Sequence, residues 1–331
     1  MKKVTIMVLS VCVSLLILLG TLWGSLALAY QWPLPGPRLA AVAWCLVGLG
    51  ALWWLWHGGP RWGWAGYGLL WVLLLGWWLS LAPSNDRDWA PDVAQMLSGE
   101  VDGDRLILHQ VRDFRWQDRE AGEPRWESRE YDLSRLASVD LLIANWGLPL
   151  ISHVMVTFGF DDGDFLTFSV EIRRERHEAF SSLAGFFKQY ELSIVAAAER
   201  DLVGVRTNHR GERVSLYRIE MSPRARRDLL LSYVAEANAL HETPRFYHTI
   251  TANCTTIVYA MMRRIVDGLP MDYRLLLTGR LADYVHAVAG LMPGYSLAEL
   301  KARADITEAA RAAGDGPDFS RRIRQGVPGW E

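Results

Sequence analysis

Not one Asp or Glu occurs in the first 82 residues of this 331-residue chain. Lys2, Lys3, Arg38 and Arg61 give that stretch a net charge of +4, so a chain with a total of −2 carries −6 in the remainder. Eleven of the 16 Trp also fall in it. An acid-free, apolar, Trp-rich stretch fits a bilayer and its interface, not the half-polar surface of a cytosolic fold. Three apolar runs, Val4 to Ala29, Leu39 to Trp56 and Trp64 to Ala82, come close to the ~20 residues of a spanning helix. The sequence therefore predicts three transmembrane helices within an anchor over residues 1–83. The connectors, Gln31 to Arg38 and His57-Gly58-Gly59-Pro60-Arg61, are rich in the Pro and Gly that end helices. Lys2 and Lys3 put the N-terminus in the cytoplasm, and three crossings then put the following chain outside. The basic start and Ala27-Leu28-Ala29 also resemble a signal peptide, although the apolar core is long for one. Cleavage there would leave the downstream chain outside as well. The expected location is the bacterial inner membrane, multi-pass, with the folded domain in the periplasm.

From Ser84 the chain turns charged, and residues 84–300 suffice for one domain with its own core. Its acidic balance argues against a nucleic-acid partner. Arg105 to Leu108 and Tyr131 to Leu133 read as strands. Leu150 to Phe158 and Phe165 to Ile172 are β-branched and aromatic runs joined by Asp161-Asp162-Gly163, which predicts a hairpin with a three-residue loop. Val214 to Ile219 is a further strand, and Ser222-Pro223 opens an amphipathic helix through Leu229, Tyr233 and Ala237. A second helix is expected from Thr255 to a stop at Gly268. Strands and helices are segregated, which favours an α+β fold. Residues 301–331, rich in Ala, Arg and Gly with weak periodicity, read as a frayed or disordered tail.

Cys12 and Cys45 lie in the apolar runs, so the external domain holds a single cysteine, Cys254, and no internal disulfide. A lone thiol in an oxidising compartment is either buried as a small hydrophobe or used. Its context favours use. Asn253 is placed to cap the following helix, and a thiol at a helix N-terminus is biased towards the thiolate, with free N–H groups nearby for an oxyanion. A base is at hand in His153, in a strand among Ile151, Val154 and Val156. If the loop is Asp161 to Gly163, Phe160 pairs with Asp164, and His153 falls opposite Glu171 on the same face. Cys254, His153 and Glu171 then compose a thiol triad. A core histidine satisfied elsewhere is the alternative, and a one-residue slip would turn Glu171 to the other face.

Ser152-His153, Phe168 to Arg173, Glu199-Arg200-Asp201-Leu202 with Arg206-Thr207, and Phe246-Tyr247 leading into Asn253-Cys254-Thr255-Thr256 together resemble the Lnb periplasmic-domain family of bacterial membrane proteins. Asn145-Trp146-Gly147 agrees, and the resemblance extends over roughly residues 84 to 295. It implies a circularly permuted papain-like (NlpC-type) thiol domain, similar to lecithin:retinol acyltransferase. It also implies a lipoprotein N-acyltransferase-like activity in which Cys254 is nucleophile and His153 base. Membrane lipids and lipoproteins would be the partners, and no cofactor is implied. Tyr247, Asn253 and Arg173 would support the site. His248 departs from the pattern, since a neutral polar residue such as Asn is expected there.

Three further readings stay beside this one: a cell-wall cysteine amidase or peptidase, a non-catalytic binding module, and a metal site at His241, His248 and Cys254. The last lacks a paired-histidine helix spacing, so no metal is expected. Arg224, Arg226 and Arg227 fit a solvated helix start better than a headgroup site. Arg173 and Arg174 either orient an anionic group or pair with Glu175 and Asp201. Oligomeric state is not legible.

Overall fold

The computed structural model describes residues 2–58 and 62–330; the side chains of Lys2 and Lys3, and residues 59–61 of the second connector, lie outside what is described. The described chain divides into two compact units.

The first unit comprises Met1–Ser84 together with Phe180–Gln189. Its helices are α1 (Lys2–Gln31), α2 (Pro37–Trp56) and α3 (Trp62–Ser80). Gly36, at φ 89°, turns the chain into Pro37, the first residue of α2. Among the described residues two helices, α1 and α2, are long and apolar enough to cross a membrane, where the sequence reading expects three. The run that departs is helical over 19 residues and rich in Trp, Tyr and Gly. Gly residues let these helices approach closely: a Cβ at Gly48 would stand 2.0 Å from Thr21 Oγ1. Phe180–Gln189 packs in the same unit, with Phe187 stacked on Tyr30 and edge-on to Trp78.

The second unit is α+β. Its strands are β1 (Ser98–Asp102), β2 (Arg105–Arg112), β3 (Arg115–Trp116), β4 (Gly122–Glu123), β5 (Trp126–Asp132), β6 (Leu136–Asn145), β7 (His153–Phe160), β8 (Phe165–Arg173), β9 (Glu191–Ala198) and β10 (Arg213–Arg218). All but β3 and β4 join one sheet in the order β1-β2-β9-β8-β7-β6-β10, with β5 also on β2. The sheet is mixed, because β2 meets β9 in parallel while the other pairs are antiparallel.

Its helices are α4 (Glu199–Gly204), α5 (Pro223–Glu242), α6 (Thr256–Ile265), α7 (Leu281–Ala287), α8 (Leu297–Arg303), α9 (Thr307–Ala313) and α10 (Phe319–Ile323). Both sheet faces are covered, which is why β7 and β8 read as nearly continuous apolar runs. One face carries Val154, Val156, Phe158, Phe168 and Val170 against Leu229, Tyr233 and Met261 of α5 and α6. The other carries Met155, Leu142, Val195 and Ala197 against Leu202, Ala310, Phe319 and Ile323.

The Asp161-Asp162-Gly163 loop folds as its sequence demands. Gly163 takes φ 90°, the Phe160 N–H donates to Asp164 O at 2.9 Å, and the register runs from Gly159 opposite Phe165 to Met155 opposite Ser169. Continuing that register places His153 opposite Glu171.

The tail expectation is corrected. Residues 301–330 complete α8 and form α9 and α10, and their order comes from long-range polar contacts that local periodicity does not show. Arg324, 2% exposed, bonds Asp140 of β6 and Glu199 of α4 through both terminal nitrogens and stacks on Phe165. Trp330 Nε1 donates to the other Asp140 oxygen at 2.9 Å. Breaking a buried ion network from one side leaves bare buried charges. Arg324→Ala is therefore expected to destabilise the domain by about 3–5 kcal/mol, read by denaturant unfolding of the full chain; a loss under about 1 kcal/mol would show that the Asp140–Arg324–Glu199 network does not hold the C-terminal helices.

Candidate active site

The site lies where the sheet opens. The β6–β7 ladder runs to Ala144 opposite His153, and the β8–β9 ladder runs to Arg173 opposite Glu191. Between them the β7–β8 ladder stops at Met155 opposite Ser169. Beyond that point the main chain of Val154 is released from its neighbour, and it hydrogen-bonds the Cys254 thiol instead. A strand end that would be an unsatisfied edge becomes a seat for sulfur.

Cys254 arrives there from a capped turn. Asn253 Oδ1 accepts from the N–H groups of Thr255 and Thr256, each at 2.9 Å, and α6 begins at Thr256. Asn253 thus does the capping that its residue type suggests, and the thiol stands just before the positive end of a ten-residue helix. The preceding turn is held by His248, whose Nδ1 accepts from the Ile250 and Thr251 N–H groups. That is the local work an Asn side chain would do, which accounts for the tolerated departure at this position.

His153, at the first residue of β7, stands beside Cys254, close enough to act on its thiol. Its Nε2 lies 2.6 Å from Ser169 Oγ and 3.3 Å from Glu171 Oε1, which leaves Nδ1 as the ring atom for the thiol. Ser169 donates to Glu171 at 2.7 Å, so its hydroxyl accepts from the imidazole and passes the polarity on. Arg206 Nη2 donates to the same Glu171 oxygen at 2.9 Å. The result is a chain of alternating charge, Cys254–His153–Glu171–Arg206, buried at both ends and partly buried in between, with Ser169 bridging its middle.

The electrostatics follow from burial working against neighbours. Burial alone would lower the His153 imidazole, but the adjacent Glu171 carboxylate and the thiol raise it to about 9. Burial would raise the thiol; His153 and the Val154 main chain pull it below the ordinary range. Glu171, despite burial, is held well below the usual carboxylate range by His153 and Arg206. A thiolate–imidazolium pair is the form that these shifts favour. Tyr247 lies in the same field: burial, then the charges of Cys254 and Glu171, push its hydroxyl up.

Two members of this chain are not singled out by sequence reasoning. Ser169 is an ordinary strand serine until the register is known. Arg206 sits in a π-turn, Val205–His209, that continues α4, and such turns recur at functional positions. The sequence does carry Arg206-Thr207 within its family-like motif. The other charges of that motif are structural: Asp201 is bonded by Arg112 and by Trp116, and Glu199 by Arg324.

Arg173 moves the other way. Its Nε and Nη2 donate to the carbonyls of Val93 and Ala94, its Nη1 to Asn85, and it lies over the Trp89 ring. It ties residues 85–94 to β8 and presents nothing to the thiol. The partners expected from sequence are taken by others, Glu175 by Arg87 and Asp201 by Arg112. The basic cluster at the start of α5 is partly spent on neighbours, Arg227 on Asp104 and Gly103 and Arg224 on Asp228. Among the described residues no group of three metal-binding side chains converges.

Residues 122–279 match the family model of the Lnb N-terminal periplasmic domain. The match supports the family that the sequence resembles, over a narrower span, and includes His153, Ser169, Glu171, Arg206 and Cys254. With the two apolar helices ahead of it, it fits a membrane-anchored periplasmic protein. No curated protein and no solved structure matches the chain.

The charge chain sets the titration of its two ends. Alkylation of Cys254 by iodoacetamide, followed by peptide mass mapping, is expected to fall off in acid at a midpoint below that of an ordinary thiol. His153→Ala removes the positive neighbour and should move that midpoint up. Glu171→Gln removes the negative neighbour of the imidazole, so its NMR titration should drop below about 9. Unmoved midpoints in both variants would show that no charge is shared along Cys254, His153 and Glu171.

Proposed function

We propose that this chain is a membrane-anchored periplasmic thiol acyltransferase, attached by a multi-pass N-terminal segment, whose Cys254 carries the acyl group as a thioester. The observation that carries the reading is the thiol at a helix N-terminus, beside an imidazole that is itself fixed by Ser169, Glu171 and Arg206. A buried cysteine serving only as a packing residue has no use for such a chain. His153 before Cys254 along the sequence is the order of a circularly permuted papain-like domain, which we take as its evolutionary type.

The chemistry follows from the parts. The Cys254 thiolate attacks the carbonyl carbon of an acyl ester, and a sulfur–carbon bond forms. When the carbon–oxygen bond breaks, the leaving oxygen takes the proton of the His153 imidazolium. Neutral His153 then accepts a proton from an incoming amine as nitrogen replaces sulfur on the carbonyl, and the thiolate returns. Glu171 and Arg206 touch no substrate in this scheme; they hold the ring and its charge. A lipid-linked acyl donor and an amino-terminal acceptor on a lipoprotein are the substrates that suit an anchored enzyme.

Cys254→Ser is expected to abolish transfer while the melting temperature stays close to that of the wild type, since a hydroxyl is far less acidic than this thiol. His153→Ala should cost about two or more orders of magnitude in rate, and the double variant should be little worse than either single one. Full activity in Cys254→Ala would sink the enzyme reading and leave a binding module; amide cleavage without transfer would make it a peptidase.

A reporter that works only outside the cytoplasm, joined after Pro83, is expected to be active. Cytoplasmic activity of a complementary reporter at the same junction would remove the periplasmic placement.

A further inference from the structure

We infer that an apolar cavity of about 360 Å³ beside Cys254 is the seat of the acyl chain and sets its length, an inference that rests on the thiol reading above. The cavity lies between the sheet and its helices, floored by Leu141, Val154 and Val156 and walled by Val258, Met262 and Leu281. Its volume is that of a small-ligand pocket. Protein interiors are close-packed, so a void of this size among aliphatic side chains forfeits contacts that an apolar occupant restores. Water is a poor occupant of such a lining.

Two features point to an acyl group and not merely to an apolar ligand. The lining includes Val154 and Thr255, the neighbours in sequence of His153 and Cys254. The Val154 main chain also acts on the thiol, so one residue serves both the cavity and the sulfur. The Thr255 hydroxyl is buried and has no hydrogen-bond partner in a residue 3% exposed. An unpaired buried hydroxyl costs stability until it meets an acceptor. A chain bonded to Cys254 would bring one, its thioester carbonyl oxygen, and lay its methylenes along Val154, Val156, Val258 and Met262. Glu220, Ser222, Val266 and Ala289 of the lining are exposed, which gives the chain an entry.

The test uses the full chain in digitonin, which carries no alkyl tail, and p-nitrophenyl esters graded from acetyl to palmitoyl. In each reaction the sulfur bonds the carbonyl carbon and p-nitrophenolate leaves with the electron pair, so both the adduct mass and the released phenolate are read. The long-to-short rate ratio is expected to fall about tenfold or more in Met262→Trp, and in Val258→Phe should the larger ring prevent folding. Met262→Ala should move the preferred length upward. An unchanged ratio in all folded variants would overturn the cavity assignment while leaving the thiol chemistry standing. Binding of cis-parinaric acid to Cys254→Ala separates the two claims. Binding that is lost on adding Met262→Trp supports the cavity even if no ester acylates the wild type, in which case the thiol reading falls instead. Absent or undiminished binding overturns the cavity.

Discussion

Glu171 is a partly buried carboxylate with a cation on either side, and the site depends on that arrangement. Arg206 alone would neutralise it and His153 would titrate as an ordinary core histidine. His153 alone would leave a buried pair whose geometry nothing fixes. With both, the carboxylate is held ionised, the imidazole keeps its proton more tightly than burial alone would allow, and the thiol next to it is made more acidic. Buried charges are tolerated when every member is paired and hydrogen-bonded, and here Ser169 and the Leu202 carbonyl, which accepts from Arg206, supply the remaining bonds.

That chain needs a sheet with a gap in it. Were β7 and β8 paired to their ends, the Val154 main chain would be occupied and Cys254 would have no place between the strands. The ladder stops two residues short of His153, so the imidazole keeps its strand-fixed position while the neighbouring peptide turns to the thiol. Rigidity on one side and an opening on the other come from the same hairpin. Its register is pinned at the far end by Gly163 and by the buried Thr157–Thr167 pair.

How much of this was legible in the sequence depends on the range of the determinant. The hairpin, its loop and the facing of His153 and Glu171 follow from three loop residues and a period of two, and the structure has them. The Asn253 cap is likewise local. Ser169 and Arg206 were missed as members because their roles exist only once strands and a π-turn bring them to Glu171. Arg173 was misplaced because an arginine beside an active strand has no preference, in sequence, between a substrate and the carbonyls of Val93 and Ala94. The third apolar run shows the limit of counting: its Trp and Gly read as membrane material by type, yet it is not among the helices long and apolar enough to span. The C-terminal helices were hidden because Arg324 is ordered by residues 184 and 125 positions away.

That last separation has a consequence for how the domain comes into being. A chain delivered from its N-terminal end presents β6, with Asp140, long before the cation that neutralises it. Until Arg324 emerges, Asp140 and Glu199 lack the cation that joins them in the finished fold. The helices that cover the sheet's second face therefore cannot be locked down until the last residues of the domain have been made.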